Sequence, residues 1–142
     1  MRRAEIAAAA RAWVGTPYHH QASARGVGCD CLGLLRGVWR GLLGAEPERA
    51  PAYSPDWAEA HGRETLLEAA GRHFVRTKTV RAGSVLVFRW RAGSPAKHVG
   101  IAVSDQAFVH AYDGAGKAVE GALSPVWRKR LVAVFDFPGV VD

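Results

Sequence analysis

The stretch VGCDCLGL, residues 27–34, carries both cysteines of the chain, Cys29 and Cys31, with Asp30 between them. Thiols at that spacing can be half of a metal site, two buried structural side chains, or a nucleophile with a neighbour. Zinc knuckles use a two-residue spacer and a second Cys/His pair at ligand spacing, and this sequence offers neither. His19 and His20 are adjacent, so their side chains diverge on an extended backbone. A disulfide across a single residue would be strained and would oppose a helix starting there. Free cysteine is among the most buried residue types, so structural thiols and a nucleophile both stay open at this point.

Two histidines bear on that choice. In KHVGIAV, strand alternation puts Val99, Ile101 and Val103 on one face, and His98, Gly100 and Ala102 on the other. The small residues beside His98 are expected to leave room for a ligand. In AFVHAYDG, Phe108, His110 and Tyr112 share a face, and the two runs read as an antiparallel hairpin. An odd-length loop such as 103–105 places His98 opposite His110; an even one separates them. Either histidine alone reads as an ordinary core or surface residue, but two near one rung favour paired chemistry. A cysteine at a helix start, with a strand histidine oriented by a third polar group, is the constellation of papain-like cysteine hydrolases.

The elements that must position these groups follow from periodicity. Ile6, Ala9, Ala10 and Trp13 recur at helical spacing, with Gly15 as the expected C-cap. The dense turn segment GTPYHHQASARGVG follows, and then a second helix from about 31 to 43. On it Cys31, Leu35, Val38 and Leu42 form one stripe, with Gly33, Gly37 and Gly41 on the opposite side. Those glycines mark either close approach of another backbone or compositional drift. At the first turn of this helix the dipole is expected to favour the Cys31 thiolate. A third helix is expected over 54–71, with Ser54 as N-cap and Pro55 at its first position. From 74 onward, six β-rich runs separated by turn signals predict strands: FVRTKTV, SVLVF, HVGIAV, AFVHAY, KAVEGA and LVAVFDF. Helices first and strands later predict a single α+β domain over 1–142, with helices packed on an antiparallel sheet of about five to six strands.

Composition bounds the remaining classes. With 49% apolar and 23% charged residues, 142 residues suffice for a core without staples. The net charge of +6, carried by 15 arginines against four lysines, suits an anionic partner. No run of five like charges and no aromatic-interleaved basic stretch points to nucleic acid. The apolar run of the N-terminal stretch, Ile6–Ala10, is too short for a secretory core, and nothing approaches the ~18 residues of a membrane span. The expectation is a protein made in the cytoplasm without signal peptide or membrane insertion.

Four motifs in register resemble the NlpC-type cell-wall peptidase family. GTPY…GCDCLGL is similar to its Gly-x-Pro-Tyr … Asp-Cys-Ser-Gly-Leu signature, RAGSVLVF to its Pro-Gly-Asp-Leu-Val-Phe turn and strand, KHVGIAV to its His-Val-Gly-Ile-Tyr strand, and FVHA to its Phe-Ile-His-Ala strand. The segment from HQ to GVGCDCLGLLRGVWR most resembles the phage and gene-transfer-agent tail subgroup. The resemblance implies a papain-like domain in which Cys31 is the nucleophile, His98 the general base and His110 the orienting residue. It implies an oxyanion or substrate role for Tyr18 and Asp30, no role for Cys29, and no metal or other cofactor. Its implied partners are peptidoglycan stem peptides, cut between D-glutamate and diaminopimelate, and the tail proteins of a particle acting on periplasmic wall. Leu32 stands where the family has serine, and Ser84 where it has aspartate. The scaffold alone leaves room for an acyltransferase or another amidase. A structural or wall-binding tail component is the non-enzymatic alternative.

Overall fold

Asp30 starts the element that matters most. In the computed structural model, which describes residues 1–48 and 64–142, its Oδ1 accepts a hydrogen bond from Gly33 N at 2.7 Å and so caps the helix Cys31–Leu43. This helix, α2, is preceded by α1 (Arg3–Arg11) and followed by α3 (Thr65–His73) and α4 (Pro125–Arg130). The expected third helix is described only in its second half, as α3; its proposed start at Ser54 and Pro55 lies outside the described residues. α1 ends at Arg11 with Ala12 as C-cap, so Gly15 does not close the helix as expected. Gly15 instead takes a left-handed φ of +92° and donates its N–H to Ala118 O at 2.9 Å, tying the chain to the sheet.

Two short strands, β1 (Ser23–Ala24) and β2 (Gly28–Cys29), pair within the turn-rich segment. The main sheet comprises β3 (Val75–Thr77), β4 (Val85–Phe88), β5 (His98–Ala102), β6 (Ala107–Tyr112), β7 (Lys117–Ala122) and β8 (Leu131–Asp136). Its order is β3-β8-β4-β5-β6-β7, antiparallel throughout. Every run expected to be a strand is one, and the α+β architecture stands.

Both faces of the central strands are buried. One carries Val85, Val87, Val99, Ile101 and Val109 against Ile6, Ala10 and Trp13 of the α1 region and Leu34, Leu35 and Val38 of α2. Trp39, Phe74 and Phe137 close that core, Phe74 edge-on to the other two rings at 5.4 and 5.1 Å and Trp39 tilted against Phe137 at 6.2 Å. The other carries Leu86, Phe88, Ala102, Phe108 and Val134, with Trp127 of α4 packed on them. The face of β5 expected to be open for a ligand is therefore filled. A Cβ on Gly100 would lie 2.8 Å from the Phe108 ring and 3.2 Å from His110 Cβ, so this glycine accommodates neighbouring side chains.

Two of the three glycines of α2 have a packing cause. A Cβ on Gly33 would overlap the Ala22 carbonyl oxygen, and one on Gly37 would overlap the Trp13 indole, whereas Gly41 faces open space. Close approach explains the first pair and leaves Gly41 without a structural reason.

Candidate active site

The loop before α2 is zipped to β2. Cys29 N donates to Pro17 O, and His19 N to Cys29 O, both at 3.0 Å, while Tyr18 N reaches across to Gly116 O at 2.9 Å. Those bonds bring Tyr18 to the start of α2. Asp30 does more than cap: its Oδ2 accepts from Gln21 N at 2.7 Å, holding Gln21 in a left-handed conformation with φ +65°. Asp30 is buried, and His20 Nδ1 lies 3.8 Å from its Oδ2. Its carboxylate is thus part of the scaffold that aims the first turn of α2.

Cys31 stands at the first helical position, half-buried and unbridged. Cys29 is fully buried in the main core. The two thiols therefore separate by environment: one is core packing, the other faces a cavity of about 320 Å³. Cys31, Tyr18, His20 and Asp30 line that cavity on one side, and His98, Lys97, Trp90 and Tyr112 on the other. Leu32, at the position of the family serine, lines it too and gives it an apolar wall. His19 is exposed, with Nδ1 3.4 Å from His20 O. Among the described residues no three His, Cys, Asp or Glu side chains are placed to hold a metal ion.

The histidine pair forms by a register slightly different from that expected. Val103 N bonds Ala107 O, leaving a three-residue loop over 104–106; Ile101 faces Val109 and Ala102 faces Phe108. Continuing the antiparallel register puts Tyr112 across from His98 and Gly100 across from His110. The odd loop preserves the shared face, and the imidazoles meet diagonally, His98 Nε2 to His110 Nδ1 at 2.8 Å. Both rings are buried, and His110 sits behind His98 and does not line the cavity. Ser84, where the family has aspartate, accepts from Arg81 N through Oγ at 2.9 Å and closes the turn into β4.

Electrostatics depart from the helix-dipole expectation. Burial, with a smaller contribution from the Asp30 charge, pushes the Cys31 thiol up to about 12, although backbone N–H groups of Val99, Leu32 and Cys31 act the other way. Desolvation and a neighbouring carboxylate outweigh the dipole. Burial likewise holds His98 well below the usual imidazole range, helped by His110 and the Arg130 charge, and brings His110 down to about 4. Tyr18 rises to about 12, first by burial, so its hydroxyl remains a donor at neutral pH. The resting site holds a neutral thiol, two neutral imidazoles and a phenol.

The sequence model described as the NlpC/P60 family matches residues 15–136. The murein DD-endopeptidase MepS/murein LD-carboxypeptidase of Escherichia coli K12 is 29% identical over 118 residues, covering 83% of this chain and 54% of that protein. The chain thus spans about half the length of that curated relative. The NlpC/p60 domain of the peptidoglycan hydrolase SagA superposes with a TM-score of 0.64 at 22% identity, over 96% of this chain and all of that domain. An NlpC/P60 family protein from Bacillus cereus gives a TM-score of 0.69 at 15% identity, over 96% of this chain and 40% of the other. At these identities the structural likeness is one of fold.

Proposed function

Because the chain belongs to the NlpC/P60 family, we propose that it is a cysteine peptidase that hydrolyses peptidoglycan stem peptides, cutting between D-glutamate and diaminopimelate. The observation that carries the reading is a single cavity lined by Cys31 at a helix start and by His98, whose Nε2 is engaged by His110. In the productive tautomer His98 Nε2–H donates to His110 Nδ1, which leaves His98 Nδ1 with a lone pair. Substrate binding brings the scissile carbonyl to Cys31. The thiol proton passes to His98 Nδ1 as sulfur bonds the carbonyl carbon, and the resulting oxyanion is held by the Cys31 backbone N–H and the Tyr18 hydroxyl. His98 then protonates the departing diaminopimelate amine, and the C–N bond breaks to leave a thioester. Water, deprotonated by His98, releases the glutamyl acid and regenerates the thiol. Asp30 acts through its cap, fixing the direction of the Cys31 N–H.

The Escherichia coli relative carries the name of a DD-endopeptidase and LD-carboxypeptidase, so the bond is best tested directly. With synthetic L-Ala-γ-D-Glu-meso-diaminopimelate, free diaminopimelate should appear with the parent protein and with Cys29→Ser. Cys31→Ala should lose on the order of 10⁴-fold or more in rate while keeping the fold. Equal loss in both cysteine variants, or retained turnover in Cys31→Ala, would remove Cys31 as nucleophile. The tail-like wording of residues 20–40 supports carriage on a phage-tail or gene-transfer-agent particle with tail proteins as partners, an association that immunodetection in purified particles would support or refute.

A further inference from the structure

The sheet face that carries His98 and His110 is turned away from the α1–α2 core and is covered by α4. Its Trp127 indole lies edge-on to His110, with ring centroids 4.9 Å apart at 84°, and tilted over His98 at 5.6 Å. Trp90, just past β4, comes within 4.8 Å of His98 and 5.6 Å of Trp127. The Arg130 guanidinium stacks on both indoles, 5.5 Å from Trp90 and 5.3 Å from Trp127. α4 is also tied down along its last turn: Arg128 Nη2 donates to Asp105 O at 2.9 Å on the β5–β6 loop, and Arg130 O accepts from Arg89 N at 2.9 Å beside β4. Six residues would not hold a helix by themselves. Here three tertiary attachments hold one, and they bring one large ring over two imidazoles.

We propose that Trp127, clamped by Arg130 against Trp90, is a positioning residue for the reaction, roofing the His98–His110 pair so that their hydrogen bond stays dry and correctly oriented. The proposal rests on the reading of His98 as the base. Trp127 does not line the substrate cavity; its effect is on the imidazoles. A water reaching Nε2 of His98 would compete for the bond that fixes the productive tautomer. The charged and titratable groups around the pair are Arg130 on α4, Tyr112 on β6, Asp113 just past it, Lys97 before β5, and Cys31, Asp30, His20 and Tyr18 across the cavity. Of these, Arg130 and Tyr112 lie against the roof itself, the Tyr112 ring 5.9 Å from that of Trp127.

The test separates this role from turnover. In a Cys31→Ala background, ¹⁵N-histidine NMR should show the pair neutral well below pH 6, and Trp127→Ala should move its titration toward the free-imidazole value of about 6.5. In the active protein, Trp127→Ala should lower kcat on the order of 10- to 100-fold with KM nearly unchanged, and raise the acid limb of the rate profile. Trp127→Phe should recover most of both. Should Trp127→Ala fail to fold, Arg130→Lys, which keeps the positive charge near His98 but loses the planar stack on both indoles, should shift the same titration upward. A folded variant with an unmoved imidazole titration would overturn the proposal. An inactive parent protein with the predicted titration shift would instead overturn the peptidase reading and leave the roof standing.

Discussion

Burial pushes the Cys31 thiol up to about 12 and the His98 imidazole down, so near neutral pH the shared proton sits on sulfur. Nucleophile formation is then coupled to substrate binding, since an isolated thiolate here would have to ionise beside Asp30 in a poorly solvated site. The same burial has a stability consequence. An unfolded histidine takes up a proton near pH 6.5, whereas folded His110 does so only near pH 4 and folded His98 is also depressed. Above pH 6.5 neither state is protonated and the pair is neutral in effect. As pH falls from about 6.5 toward 4, the unfolded chain binds protons that the folded one refuses, and stability drops, for His110 by up to about 3 kcal/mol. Urea unfolding at pH 7.5 and 4.5 should show this loss, and His110→Asn should flatten it. Equal stability at the two pH values in the parent would contradict the buried neutral pair. Paired carboxylates such as Glu48, lowered to about 2, act mainly below this window.

At the scale of elements, α2 carries Cys31, the proposed nucleophile, and fits closely at two of its glycines. Gly33 and Gly37 admit the Ala22 carbonyl and the Trp13 indole, while Gly41 meets nothing. Gly37→Ala should therefore destabilise the protein by roughly 1–3 kcal/mol through overpacking, whereas Gly41→Ala should stabilise it by up to about 1 kcal/mol. Denaturant midpoints measured on the two variants must move in opposite directions; a shared direction would refute the packing account. The bounds of α2 and of the five central and edge strands β4–β8 are legible in their apolar patterns, whereas of FVRTKTV only Val75–Thr77 forms a strand, its residues too exposed to give such a pattern. α4 is not legible: six residues give no periodic signal, although Ser124-Pro125 is a helix-start pair that could have drawn attention. The two-residue strands β1 and β2 are equally silent in sequence. Alternation showed that His98 and His110 share a face, but a sheet covered on both sides cannot be told from one open on one side by alternation alone. The aromatic roof over the pair is therefore silent in the sequence, where alternation alone predicts a vacant face.

At the scale of the whole molecule, the fold brings residues from 18 to 114 to one cavity, with Cys31, the proposed nucleophile, on a helix and His98, the proposed base, on the sheet. The motifs point to Cys31 and His98 as candidates; their convergence on one cavity, the capping role of Asp30 and the electrostatic state of the thiol are visible only in three dimensions. The chain's net charge of +6 suits a wall polymer whose stem peptides carry carboxylates. Ion pairs already neutralise Arg3 with Asp136, Arg11 with Glu120 and Arg36 with Glu46, so part of the acidic complement is committed internally. What this molecule does to the intact wall is the claim on which everything else depends. Mass spectrometry of diaminopimelate-type sacculi digested with the whole protein, alongside Cys31→Ala, tests it most directly. The account predicts new disaccharide-dipeptides that vanish in the variant; an unchanged muropeptide profile with folded protein, or the same products from Cys31→Ala, would contradict it.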